Sequence, residues 1–444
     1  MATAAPDSTA PVPRGPRAAA PPPELDPAAV RTWQASGGNM IELLTLARTL
    51  GPVSRFVLGG VPTVLVTAPE GVHHVLALHA DRYVKRSHRA RALLGDGVLS
   101  AAGEPWKAQR RFLQPYFTGQ GVRRLEHHME AAAQAVADAW AVAARSGEPR
   151  DLAEDMRRYA MDVIWRVLTG HRIDDTSYRA LQAGESILTA LPTLPGQEMD
   201  PAATADLARI DDVAHAAIAR ARHTPPGEDG PGLLHTLLDA GREHPAYTDR
   251  LIRDELVTLL VAGYETTATT LTWLYRLLDR HPGERTRALD AGPADSPDRA
   301  AAVRALVGET MRLHPVAWLL PRYATEDDVV AGHLITAGST VLTCPYLTHR
   351  DPGLWPDPDA FRPGRFLPSG ERPAGPGAYF PLGLGPRACL GAQFAQREAG
   401  ILLDRLLPAF VPRLHGSTAA PVFGFTLRPD GPTPATITAA PEPV

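Results

Sequence analysis

The chain has 444 residues, a formal net charge of −4 and 44% hydrophobic residues. That supports a large core, leaves room by length for two or three domains, and argues against a nucleic-acid binder, which would be clearly basic. Its two cysteines, Cys344 and Cys389, cannot frame a disulfide-stapled fold. With no secretory pattern and no apolar run long enough to cross a bilayer, the expectation is a cytoplasmic chain without a membrane anchor.

The first 27 residues carry eight prolines and no apolar periodicity. They read as a disordered tail over residues 1–30, with 31–444 as one domain. Met40–Leu50 has helical spacing, and Val53–Leu58 and Thr63–Val66 flank Gly59–Gly60 as a hairpin would. Pro69 opens a short helix through Leu78. Residues 82–101 form a polar, glycine-punctuated connection. Then EPWKAQRRFLQPY, residues 104–116, reads as a basic helix with Pro105 in its first turn. Trp106 and Arg110 share one face of it, and Lys107 and Arg111 point toward solvent. Residues 124–222 are largely helical, with a proline-rich break at 191–201, and 223–232 is a loop.

Asp249–Arg280 has no proline and strong helical character. At ~1.5 Å per residue it would run nearly 50 Å, across a whole domain. Its middle, LLVAGYETTATT, holds choices that are odd for a buried helix: Ala262–Gly263, then Glu265, Thr266 and Thr267. Glycine weakens a helix, threonine is stiff at χ1, and a buried glutamate needs a partner or a changed pKa. A local π-bulge or inserted water would open a groove there.

A helix over 301–313 places Glu309 and Arg312 at i and i+3, and Pro315 ends it. Tyr323–Val330 and Thr340–Thr343 read as strands, Cys344 as inert core, and His349 as structural. The last motif is FPLGLGPRACLG, residues 380–391. By itself a lone cysteine reads as a small buried hydrophobe. Cys389, however, follows a tight glycine turn and opens an apolar helical pattern from Leu390 to Leu407. Helix N–H groups and the dipole end favour its thiolate, with a lowered pKa. With no Cys or His nearby it cannot build a four-ligand zinc site, but it can make one axial bond to a haem iron.

Taken together these motifs resemble the cytochrome P450 family. Leu382–Gly391 is similar to the haem loop FxxGxRxCxG, with Leu382 where the family usually has Phe. Ala262–Thr266 matches [AG]Gx[DE]T, Trp106–Arg110 matches WxxxR, and Glu309–Arg312 matches ExxR, completed by Arg365 in WPDPDAFRPGRF. The resemblance covers about residues 40–430. It implies a mostly α fold with a smaller β-rich region.

The resemblance also implies haem b as cofactor, with Cys389 as the metal ligand. Trp106, Arg110, Arg322 and Arg387 would meet its propionates; Ala262, Gly263 and Gly391 would allow its close approach. Glu265 and Thr266 would deliver protons to the oxygen site. Glu309, Arg312 and Arg365 would hold the segment before the cysteine. Residues 82–101 would roof the pocket, the helices on either side of the 191–201 break would form a lid, and Leu94, Val98, Leu260, Val261, Trp318, Leu319 and Phe423 would line the pocket, with Leu93, Leu99 and Phe425 as further candidates. The implied reaction is monooxygenation of a hydrophobic natural-product intermediate, such as a terpenoid, polyketide or fatty acyl chain. Peroxide-driven oxidation, oxidative coupling and a non-catalytic haem sensor are the alternatives. With no flavin or iron–sulfur domain in the chain, electrons are expected from NAD(P)H through a separate ferredoxin and ferredoxin reductase, docking near Lys107, Arg111 and Arg397.

Overall fold

A computed structural model of the chain describes residues 19–86, 90–184, 187, 200–224, 232–294, 296–373, 375–416 and 420–441. The expected breaks at 191–201 and 223–232 lie largely outside these residues, as do residues 1–18.

The centre is one helix of 32 residues, Asp249–Arg280, with the bounds its sequence predicts. The Thr248 hydroxyl caps it, accepting the Leu251 N–H at 3.2 Å. Its buried residues run around several faces, as befits a helix inside a core. The helix Leu152–Thr169 packs across it. Gly263 marks the closest approach: a Cβ there would lie 2.8 Å from Ile164 Cγ1. Gly263 therefore serves helix packing on this side. Of the pair, Ala262 is the exposed residue.

The expected loosening of this helix does not occur; it is α-helical throughout. Thr266 Oγ1 donates to Ala262 O at 3.1 Å, and Thr270 Oγ1 to Thr266 O at 2.8 Å. These bonds use second lone pairs of ladder carbonyls and leave the ladder closed. The π-helical turn lies instead at His74–Leu78, continuing the helix Pro69–His73.

Four small sheets accompany the helices among the described residues. The largest has the strand order Val53–Leu58, Val61–Val66, Thr340–Thr343, Leu320–Ala324, Tyr83–Val84. Gly59 (φ 57°) and Gly60 (φ 79°) form its two-residue hairpin turn, where left-handed backbone suits glycine. Leu43, Leu44 and Ala47 of the helix Met40–Arg48 pack with Phe56 and Leu65. The boundary expected for the tail is too late. Leu25 N–H donates to Arg55 O and Arg55 N–H to Pro23 O, both at 2.8 Å, and Leu25 and Val30 are buried. A proline-rich edge segment still pairs through its carbonyls, which composition conceals. Cys344 is inert core as expected: fully buried, with its thiol pushed up to about 12 by burial.

The helix Pro297–Leu313 carries the clamp. Arg312 Nε and Nη2 donate to the two Glu309 oxygens at 2.7 and 2.9 Å, and both side chains are fully buried. Arg312 also binds the carbonyls of His349 (2.9 Å), Pro358 (2.6 Å) and Ala360 (3.0 Å). Arg365 is the weaker member, 3.5 Å from Glu309 and bonded to Asp357 O at 2.9 Å. His349 Nε2 accepts the Phe380 N–H at 2.9 Å, linking the clamp to the cysteine loop. Burial, with Arg312 and Arg350 adding, holds His349 well below the usual imidazole range, so it stays a neutral acceptor. Arg312→Met should cost about 3–5 kcal/mol in urea unfolding, because it strands a buried Glu309. Arg365→Met should cost less.

Candidate active site

Residues 380–391 fold as a tight loop on the N-terminus of the helix Ala392–Leu406. Gly383 (φ 72°) and Gly385 (φ 65°) need left-handed backbone. Gly385 also abuts the π-turn: a Cβ there would lie 2.2 Å from Leu76 O. Cys389 N–H donates to Leu382 O at 2.8 Å, closing the loop. Leu382 thus contributes its backbone, while Phe380 is the buried aromatic of the loop, ringed by His349 at 5.3 Å. Gly391 leaves open space where a Cβ would stand.

Cys389 presents open surface, yet burial pushes its thiol up, with the Gly391 N–H and Arg110 pulling the other way. The two observations fit a residue lining an internal hollow. They also correct the expected lowering of its pKa. The helix N–H groups do act as expected, but desolvation outweighs them.

Positive charge surrounds this loop. Arg110 Nη1 donates to Ala388 O at 2.9 Å. Arg387 donates to Ala101 O at 2.9 Å, and its guanidinium lies 3.8 Å over the Trp106 ring. Arg322 is 8% exposed and, among the described residues, hydrogen-bonds only to its neighbour Pro321 O, at 2.9 Å. Burial lowers Arg322 to about 10; burial, with Arg322 and Arg110 adding, lowers Arg387 to about 10. A fourth cation, Lys85, joins them without any forewarning in the sequence. It donates to Leu99 O at 2.9 Å and is lowered to about 7 by burial and by Arg322 and Arg387. No motif marks it, because it is a lone lysine one residue past a two-residue strand.

Among the described residues, none of these four cations forms an ion pair with a carboxylate. Buried cations without counter-charge are costly. Two carboxylates entering here would relieve that cost, and the haem propionates are such a pair. The donor set agrees: one cysteine, and no group of three or more His, Cys, Asp or Glu that could hold a metal among the described residues. The residues present fit haem.

On the long helix, Glu265 is 6% exposed and accepts from Thr269 Oγ1 at 3.3 Å. Its charge is felt by Arg157, which pairs with Glu154 at 2.6 Å. Thr267 Oγ1 donates to Glu398 Oε2 at 3.1 Å, tying the long helix to the cysteine helix. Glu398 is buried and pushed well above the usual carboxylate range by desolvation.

The expected pocket lining falls into two groups. Leu94, Val98, Leu260 and Val261 share the main core, with Leu93. Trp318, Leu319 and Phe423 belong to a separate cluster behind the sheet. Phe423 packs at 5.1 Å on Trp318 and 4.8 Å on Tyr346, and Trp318 Nε1 donates to Gly424 O at 2.9 Å. Phe425, at the hairpin tip, is 54% exposed.

Comparison with known proteins agrees with this geometry. The sequence pattern of the family described as Cytochrome P450 matches residues 21–429. Cyclooctatin synthase of Streptomyces melanosporofaciens is 32% identical over 80% of this chain and 81% of its own length. Cyclooctat-9-en-7-ol 5-monooxygenase of the same organism is 31% identical over 71% and 72%. The crystal structure of CYP175A1 from Thermus thermophilus superposes with a TM-score of 0.74 at 31% identity, covering 94% of this chain and all of that one. No helix among the described residues is long and apolar enough to cross a membrane. The chain belongs to the cytochrome P450 family and is a cytochrome P450 monooxygenase.

Proposed function

We propose that the chain oxygenates a hydrophobic, terpenoid-type intermediate, with the chain from Pro23 onward acting as one unit. The carboxylate-free cluster of Lys85, Arg110, Arg322 and Arg387 carries the cofactor part of this reading. The two Streptomyces relatives support the substrate class: one is named for an alkene-bearing alcohol, the kind of apolar skeleton that Leu94, Val98, Leu260 and Val261 would accept. The reduced thiol that the reading requires suits the cytoplasm.

When bound through Cys389, haem supplies the oxygen chemistry, using dioxygen and two electrons to insert one oxygen atom into the substrate. Arg110, Arg322, Arg387 and Lys85 hold its carboxylates, and Trp106 braces Arg387 by stacking. Ala262 keeps the long helix low where the cofactor approaches. The Thr266 hydroxyl proton is committed to Ala262 O. Its oxygen lone pairs are then free to accept a hydrogen bond from a water or acid on the pocket side. Glu265 takes protons from solvent on the Arg157–Glu154 side and passes them inward.

Electrons come from NAD(P)H through a separate ferredoxin and its reductase. The docking face is basic but partly self-paired: Lys107 bonds Glu104 at 2.7 Å and Arg397 bonds Glu126 at 2.7 Å, while Arg111 is exposed. An acidic partner would draw Lys107 and Arg397 from these exposed pairs at little cost.

Four measurements test the reading. Cys389→Ser should abolish the red-shifted carbon monoxide band of thiolate-bound haem, and Arg322→Leu should weaken haem retention by about tenfold or more. Retention unchanged in the arginine variant would remove it from the carboxylate site. Thr266→Ala should keep substrate binding but divert most NAD(P)H electrons to peroxide, read as product formed per NAD(P)H consumed. Lys107→Glu with Arg111→Glu should slow reduction by ferredoxin at low salt, and the difference should shrink as salt rises.

A further inference from the structure

Residues 93–101 are held by side chains from all around them. Arg253 Nη1 donates to Leu93 O at 3.0 Å, and Thr258 Oγ1 to Leu94 O at 3.4 Å. Asp254 Oδ2 accepts the Asp96 N–H at 2.9 Å, and Gln109 Nε2 donates to Asp96 O at 3.0 Å. Glu255 Oε2 accepts the Val98 N–H at 3.0 Å. Lys85 and Arg387 take the Leu99 and Ala101 carbonyls. Two glycines let the segment lie flat on the long helix. A Cβ at Gly95 would lie 2.1 Å from the Asp254 carboxyl, and one at Gly97 would lie 2.2 Å from Thr258 Oγ1.

Glu255 stands apart in this set. It is fully buried, and its Oε1 has no hydrogen-bond partner among the described residues. From its own helix it faces Asp254, and from the preceding turn Tyr247, whose hydroxyl is raised by burial and by Glu255. From the segment above it faces the Val98 N–H, with Asp96 and its neighbour Arg91 farther out, 3.6 Å apart. The nearby Arg253 is committed to Asp211, Asp254 and Leu93 O. Among the described residues, no cation forms an ion pair with Glu255.

We propose that Glu255 is a positioning residue: its carboxyl group fixes Val98 against the long helix, and its proton sets how firmly residues 93–101 close over the pocket. The closure part rests on the reading that this segment roofs the haem. Burial pushes Glu255 up to about 7, Asp254 adds to the rise, and the Val98 N–H opposes it. Opening the segment would hydrate the carboxyl group and return it to the ordinary acid range. A raised pKa in the closed state means that closure is favoured while Glu255 is protonated. That contribution is complete below about 4.5, is lost progressively as pH rises from there to about 7, and is gone above it.

The test uses haem-loaded protein. Hydrogen exchange is read at the Asp96 and Val98 amides as protection corrected for intrinsic exchange. Amides of the helix Pro297–Leu313 serve as reference. Wild-type protection should fall by up to about tenfold per pH unit between about 4.5 and 7 and level off above 7, and Glu255→Gln should be flat throughout. A flat wild type, or the same slope in both proteins, would overturn the proposal. Should Glu255→Gln fail to retain haem, the wild-type slope against the reference decides alone. Carbon monoxide, which does not titrate, should rebind after photolysis faster over the same rise in pH. A pH-dependent exchange with a constant rebinding rate would overturn the closure over the pocket while upholding the Glu255–Val98 contact.

Discussion

Glu309 and Arg312 are two opposite charges wholly removed from water. Such a pair survives only when its remaining donors and acceptors are filled. Here they are: Arg312 binds three backbone carbonyls besides its partner, and Glu309 also accepts the Arg362 N–H at 2.9 Å. The turns between residues 349 and 362 have no regular ladder to hold them, so this ion pair does it. His349 passes the restraint on to Phe380, and the loop that presents Cys389 begins there. The position of the sulfur is therefore set by a charge pair that never touches it.

The cofactor site follows the opposite principle. Burial lowers Lys85, Arg322 and Arg387, with Arg322 adding to the drop at the other two, and none of the three has an acidic partner among the described residues. The clamp is electrostatically complete and the cluster is not. Lys85 and Arg387 also hold the Leu99 and Ala101 carbonyls, so the cofactor seat and the segment above it share two residues. Filling the cluster with two carboxylates would restrain that segment as well.

Much of this was legible in the chain. The long helix could be bounded because it lacks proline and is apolar on several faces. The hairpin at Gly59–Gly60 and the pairing of Glu309 with Arg312 follow from local spacing. What stayed hidden depends on burial and on distant neighbours. Lys85 carries no motif. The packing of Gly263 against Ile164 depends on a helix about a hundred residues away. The helix N-terminus argued for a lowered Cys389 pKa, but the protein packed around the loop reverses the balance. The threonines that suggested a broken helix in fact bond back to its carbonyls.

The contact between Gly385 and the π-turn at His74–Leu78 bears on how the molecule assembles. Residues 380–388 are fixed by Leu76, Ala101, Arg110 and His349, three of which lie hundreds of positions earlier in the chain. Contacts of such sequence separation carry a large loop-closure cost and form late. The cysteine loop is thus expected to set after the long helix and its neighbours have packed. During synthesis the whole N-terminal portion must wait for it. The haem would then meet a framework already built, and its arrival would coincide with the last step of folding.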